Sequence, residues 1–76
     1  MTKSIKATSR EDLLKINRAA TEAPYSVWIH GENVLLDAKS LMGLFLLSPD
    51  DSLKVVVPDD VDTKKLFHEL DRILAH

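Results

Sequence analysis

The chain has 76 residues, of which 45% are apolar and 29% charged, with a net charge of −2 and no cysteine. That length allows one domain, 1–76, and the mix is that of a folded chain rather than a disordered one. It excludes a disulfide framework, a thiolate metal site and a cysteine nucleophile, and the acidic balance argues against nucleic-acid binding.

Taken in order, Ile5 and Ala7 alternate with Lys6 and Thr8, which predicts a short strand with one buried face. Two overlapping capping signals follow, Thr8 with Glu11 and Ser9 with Asp12. Leu13, Ile16, Asn17 and Ala20 then recur at helical spacing, so the first helix is expected over 9–22, ending before Pro24. Residues 25–29 alternate as a strand, with Val27 and Ile29 on one face and Ser26, Trp28 and His30 on the other. His30, Gly31, Glu32 and Asn33 read as a hairpin turn, with Gly31 and Asn33 able to take positive φ. Val34, Leu35 and Leu36 return as its second strand. A second helix is expected from Lys39 or Ser40 to Leu47, and residues 48–51 form a turn. Residues 53–57 are apolar and β-rich, which suits a central strand. Pro58, Asp59 and Asp60 break it and cap a last helix over 61–75, where Leu66, Leu70, Ile73 and Leu74 form an apolar stripe.

The order is β-α-β-β-α-β-α, an α+β chain. The central hairpin implies an antiparallel or mixed sheet, and the helices need a sheet face to cover, so two layers are expected with the second face largely open. No apolar run approaches the roughly 18–20 residues of a membrane span. The first residues hold no apolar leader core, so the expectation is a cytoplasmic protein without membrane insertion.

The second helix is unusual. Leu41, Met42, Leu44, Phe45, Leu46 and Leu47 are apolar nearly all round, interrupted by Gly43 alone. Either several of them are exposed as a contact site, or Leu46 and Leu47 leave the helix and turn inward. Gly43 carries a helix-propensity cost of about 1 kcal/mol relative to alanine, and the expected reason is a close approach of another backbone.

The stretch Asp37-Ala38-Lys39-Ser40-Leu41-Met42-Gly43-Leu44 resembles the segment around the regulatory serine of HPr, the histidine-containing phosphocarrier family of the bacterial sugar phosphotransferase system. The resemblance extends over about 25–76 and includes the element order. It implies an open-faced two-layer sandwich, with four antiparallel strands in order 1-4-2-3 under three helices on one face. The family's phosphoacceptor is a histidine at the start of the first helix, in a Gly-Leu-His-Ala-Arg-Pro-Ala-like loop. The matching stretch here is Ala7-Thr8-Ser9-Arg10-Glu11-Asp12-Leu13, which is shorter and has no histidine. Glu11 and Asp12 in that first turn oppose a phosphate dianion, and the three histidines, His30, His68 and His76, lie elsewhere.

The resemblance therefore implies a degenerate HPr-like protein, not an enzyme, acting as a regulatory binding module. Ser40 matches the serine that a dedicated kinase phosphorylates in the family, with Lys39 beside it; a serine before an apolar helix is equally accounted for as an N-cap. The family meets its partners through the first two helices, which places Arg10, Leu41, Met42 and Phe45 in the contact face. The implied partners are phosphotransferase-system proteins, the HPr kinase or a transcriptional regulator. A phosphocarrier with a non-standard acceptor, or an accessory domain that kept only the fold, are the alternatives.

The rest of the sequence adds little chemistry. Asp50-Asp51 and Asp59-Asp60-Asp62 fall at opposite ends of a strand, and each precedes an element where aspartate caps, so neither a metal nor another cofactor is expected. The glycines at 31 and 43 make no phosphate loop. On the last helix, His68 with Asp71 and Glu69 with Arg72 are i, i+3 neighbours expected on a solvated face. Trp28 is expected on the open sheet face, lying over lysine stems such as Lys6 or Lys54. Residues 1–20 carry Lys3, Lys6, Arg10, Lys15 and Arg18 against Glu11 and Asp12, a bias that would steer an acidic partner. Edge strands leave a monomer or a weak dimer open.

Overall fold

The computed structural model describes residues 1–47 and 52–74. The turn expected at 48–51 and the chemistry of His76 lie outside the described residues. The elements are β1 (Thr2–Lys6), α1 (Arg10–Glu22), β2 (Trp28–His30), β3 (Leu35–Asp37), α2 (Leu41–Leu44), β4 (Ser52–Val56) and α3 (Lys64–Ile73). The four strands form one antiparallel sheet in the order β1-β4-β2-β3.

Register decides which side chains face the helices. Ile5 stands opposite Leu53, and Ile29 stands between Val55 and Leu36. Ile29, Leu53 and Val55 are fully buried under Leu13, Ile16 and Ala20 of α1, Leu44 of α2, and Leu66 and Leu70 of α3. The alternate residues Thr2, Ser4, Trp28, His30, Leu35, Ser52 and Lys54 are exposed on the other side. The two-layer arrangement with one open face thus follows from strand alternation.

The first strand is displaced toward the N-terminus. Met1 O accepts from Val57 N at 3.0 Å, so the ladder runs from the chain start and releases Ala7 as a buried residue beyond the strand. The hairpin strands are shorter than the alternation suggests. Residues 25–27 stand outside β2: Tyr25 uses its hydroxyl to donate to Asp62 O at 3.2 Å, and only Val27 O joins the pairing, accepting from Ala38 N. Burial and the nearby Asp62 charge raise the Tyr25 pKa. Gly31 closes the turn by donating to Val34 O at 2.9 Å. Its φ lies outside the left-handed region, and a Cβ there would stand 3.0 Å from Val34 Cγ2, close enough that the exposed Val34 side chain has to give way.

The two capping signals of α1 merge into one. Ser9 is the N-cap, and its Oγ accepts from Asp12 N at 3.3 Å. Asp12 reaches back past Ser9, and its Oδ2 accepts from Thr8 N at 2.9 Å and Thr8 Oγ1 at 3.1 Å. Glu11 is exposed, so Thr8 works with Asp12 rather than with Glu11. At α3 the expected capping by Asp59 and Asp60 is corrected. Asp62 Oδ1 accepts from Lys64 N at 3.0 Å, while Thr63, the N-cap, gives its hydroxyl to Met1 Sδ at 3.2 Å. Asp59 pairs with the N-terminal ammonium, which lowers its carboxyl pKa.

The second helix is shorter than 39–47. Beyond Leu44, Leu46 N bonds to Gly43 O and Leu47 N to Leu44 O, each at 3.0 Å, so the chain tightens into three-residue turns. Gly43 meets no foreign backbone. A Cβ there would sit 3.4 Å from Ser40 Oγ and 3.9 Å from Leu36 Cδ2, ordinary contacts.

Two stability outcomes follow, both read by urea unfolding. Gly43→Ala raises stability by about 0.4–1 kcal/mol, because the site has room and the helix loses a glycine; a destabilised variant would restore the close-approach reading. Asp12→Ala lowers it by about 1–2 kcal/mol, since Thr8 N and Thr8 Oγ1 lose their acceptor together.

Candidate protein-docking surface

Six of the seven residues from 41 to 47 are apolar, and they divide between core and solvent. Leu44 and Leu47 are buried and Leu41 is half-buried. Met42 is 84% exposed, Leu46 76% and Phe45 46%. Of the inward pair one expectation named, Leu47 turns in and Leu46 does not, while Met42, Phe45 and Leu46 stay exposed as the other expectation has it. The three-residue turns explain the split, because they rotate successive side chains by about 120° rather than 100°.

Arg10 begins α1 and lays its guanidinium 6.0 Å from the centre of the Phe45 ring, at the limit of a cation–π contact. Of the four residues expected in a contact face, Arg10 and Phe45 are thus brought together, Met42 points fully outward, and Leu41 is partly withdrawn. Sequence reasoning did not single out Leu14, which is exposed one turn after Arg10 and lies off the buried Leu13–Ile16–Ala20 stripe. A helical projection of α1 carries that signal.

Ser40 is the N-cap of α2 and is exposed; its Oγ accepts from Gly43 N at 3.3 Å. Lys39 is adjacent in sequence, but its ammonium is committed elsewhere. Nζ donates to Ala23 O at 2.8 Å, at the C-terminal end of α1. Asp37 sits in the same turn: its Oδ1 accepts from Lys39 N and its carbonyl accepts from Ser40 N. The expected help of Lys39 to a phosphate on Ser40 is not provided in this arrangement.

At the start of α1, Thr8 N is taken by Asp12, Asp12 N by Ser9 Oγ and Leu13 N by Ser9 O. Asp12 is 4% exposed, so a carboxylate is built into the place where a helix N-terminus would receive an anion. His30 lies on the open sheet face and His68 on the exposed side of α3.

The remaining candidates are plain. Trp28 is 40% exposed and stands opposite Val56. Lys6 pairs with Ser52 at the other end of β4, roughly 13 Å away at strand rise, so it does not cover the indole; Lys54 lies on the diagonal. The Glu69–Arg72 pair forms at 2.8 Å, lowering the carboxyl pKa through its hydrogen bond to the guanidinium. Asp71 pairs with Lys3 at 2.6 Å, and Lys3 also lies 5.7 Å from the Phe67 ring centre. No group of three or more potential metal ligands occurs among the described residues. A cleft of about 50 Å³ beside Ala23, Tyr25 and Leu66 is far below ligand size, and the wider groove of about 510 Å³ between Arg18, Glu22 and Arg72 is open and polar. No helix of the described residues is long and apolar enough to cross a membrane.

No family model matches the sequence, and neither does any curated protein. Solved structures do match. The chain is similar to the crystal structure of HPr-C-His from Thermoanaerobacter tengcongensis, with a TM-score of 0.71 and 21% identity over 99% of this chain and 89% of that one. It is also similar to the phosphocarrier protein HPr from Bacillus anthracis strain Ames, with a TM-score of 0.69 and 12% identity over 99% of this chain and 93% of that one. With its 1-4-2-3 antiparallel sheet and three helices on one face, this chain has the HPr-like fold.

Proposed function

We propose that this chain is an HPr-like regulatory binding module of the sugar phosphotransferase system, cytoplasmic and not an enzyme, which meets a partner protein through α2 and the start of α1. The observation that carries this reading is the exposed group Met42, Phe45 and Leu46 beside Arg10. Leu44 and Leu47 are the side chains this segment puts into the core, and the outward side chains take no part in it. A contiguous apolar group with a cation at its rim is a surface for protein contact. Arg10 and the basic bias of residues 1–20 suit an acidic rim on that partner. The candidates by resemblance are phosphotransferase-system proteins, the HPr kinase or a transcriptional regulator.

Loss of phosphocarrier chemistry belongs to the same reading. The first turn of α1 has no histidine, and its Asp12 and Leu13 amides already bond to Ser9. Phosphorylation of Ser40 is the regulatory half of the proposal. Its hydroxyl is exposed, and a phosphate there would gain from Gly43 N while standing near the Asp37 backbone turn.

Binding to Enzyme I and HPr kinase of the source organism, measured by calorimetry, tests the surface. Met42→Asp is expected to weaken binding at least about tenfold with an unchanged circular dichroism spectrum. Equal affinity would remove α2 from consideration.

The phosphate state tests the mechanism. Incubated with Enzyme I and labelled phosphoenolpyruvate, the chain is expected to take up no acid-labile phosphate; uptake would make it a carrier. Incubated with the HPr kinase and ATP, intact-mass spectrometry is expected to show one phosphate on the wild type and none on Ser40→Ala. No phosphate on either would leave Ser40 as a helix cap.

A further inference from the structure

We infer that Lys39 and Asn17 latch α2 onto α1 and thereby fix the orientation of the Met42–Phe45 face, an inference whose functional meaning rests on the docking surface proposed above. The need for a latch is physical. A helix of four residues is far too short to hold itself, since isolated helices below about 12–15 residues are marginal in water. Its own anchors, Leu44 and Leu47, lie at its C-terminal end. Something else must hold the beginning.

The segment 37–40 supplies it. Asn17 Nδ2 donates to Ala38 O at 3.1 Å, from the middle of α1. Lys39 Nζ donates to Ala23 O at 2.8 Å, at the end of α1. Ala38 is itself fully buried and donates its N–H to Val27 O, so the segment is pinned to the sheet as well. At the far end, Arg10 of α1 meets Phe45. Contacts with α1 therefore flank α2 on both sides, before it at Ala38 and Lys39 and after it at Phe45.

The Lys39 bond also answers a need of α1. The last turn of that helix has no basic residue and carries Glu22, although its C-terminus is the negative end of the helix dipole. Lys39 brings the missing cation from another element, and a charge-assisted donor to a terminal carbonyl. One side chain thus completes α1 and positions α2. Lys39 is in this view a positioning residue that touches no partner and no phosphate.

Amide hydrogen exchange on the full chain reads the latch directly. In Lys39→Met, the amides of Gly43, Leu44 and Phe45, which bond to Ser40 and Leu41, are expected to exchange about tenfold faster. The amides of Ile29 and Val55 in the sheet are expected to keep their wild-type rates. Lys39→Arg retains a cationic donor and is expected to restore slow exchange, whereas Asn17→Ala gives the same local acceleration as Lys39→Met. Unchanged α2 amides in Lys39→Met would overturn the latch. So would acceleration by one common factor throughout, or failure of Lys39→Arg to restore protection. Calorimetry with Enzyme I adds the functional arm, in which Lys39→Met binds more weakly and Lys39→Arg like the wild type. A wild type that does not bind Enzyme I would remove that partner from the docking reading, and the exchange rates would still decide the latch.

Discussion

The inner face of β2 and β4 packs against α1, and the other elements take their places from that contact. Ile29, Leu53 and Val55 meet Leu13, Ile16 and Ala20 with essentially no access to water. A chain of 76 residues without cysteine has no covalent staple to fall back on. Its stability rests on keeping α1 intact and in register over the sheet. That explains why polar bonds gather at the two ends of α1. Ser9, Thr8 and Asp12 close its beginning, and Lys39 closes its end from outside the helix.

From this frame α2 follows as a dependent element. It meets α1 through the side chains of Asn17, Lys39 and Arg10, and the 41–47 run puts two side chains, Leu44 and Leu47, into the core. The sequence from 41 to 47 is far more apolar than that role requires. A soluble surface ordinarily places polar groups at positions such as Met42 and Leu46, because exposure of large apolar side chains favours association. Their presence is understandable if another surface covers them. Arg10 over Phe45 adds a charge at the margin of the same group, where a rim cation guides encounter more than it adds to affinity.

Local rules made much of this readable in the sequence. The Leu13–Ile16–Ala20 stripe and the capping residues around Ser9 gave α1 nearly to the residue, because both signals lie within one turn of the helix they define. The strand faces were readable from alternation, and Trp28 stands outside as that pattern requires. The order of the strands was not readable from the residues themselves and came only through the likeness of the 37–44 segment. Tertiary partners account for the other differences. Tyr25 left the strand for Asp62, and Asp59, expected to cap α3, pairs with the N-terminal ammonium instead. Lys39 looked like company for Ser40 because the two are adjacent, yet its partner is sixteen positions away at Ala23. Gly43 invited a packing explanation, and its surroundings leave room for a methyl group.

The two helix beginnings on this face differ in a way that bears on phosphate chemistry. Anions bind where backbone N–H groups at a helix start are open and the dipole is uncompensated. At α1 the first turn carries a buried carboxylate, Asp12, held by Thr8, and an exposed one, Glu11. Both oppose a phosphoryl group arriving at that helix start. At α2 the capping oxygen belongs to Ser40, a neutral and exposed hydroxyl. Replacing that hydroxyl by a phosphate ester keeps an oxygen within reach of Gly43 N and sets negative charge one residue from Leu41 and two from Met42. The apolar face would then carry an anion at its edge opposite the Arg10 cation. A partner with an acidic rim would be repelled there, and one that presents a cation would be drawn in.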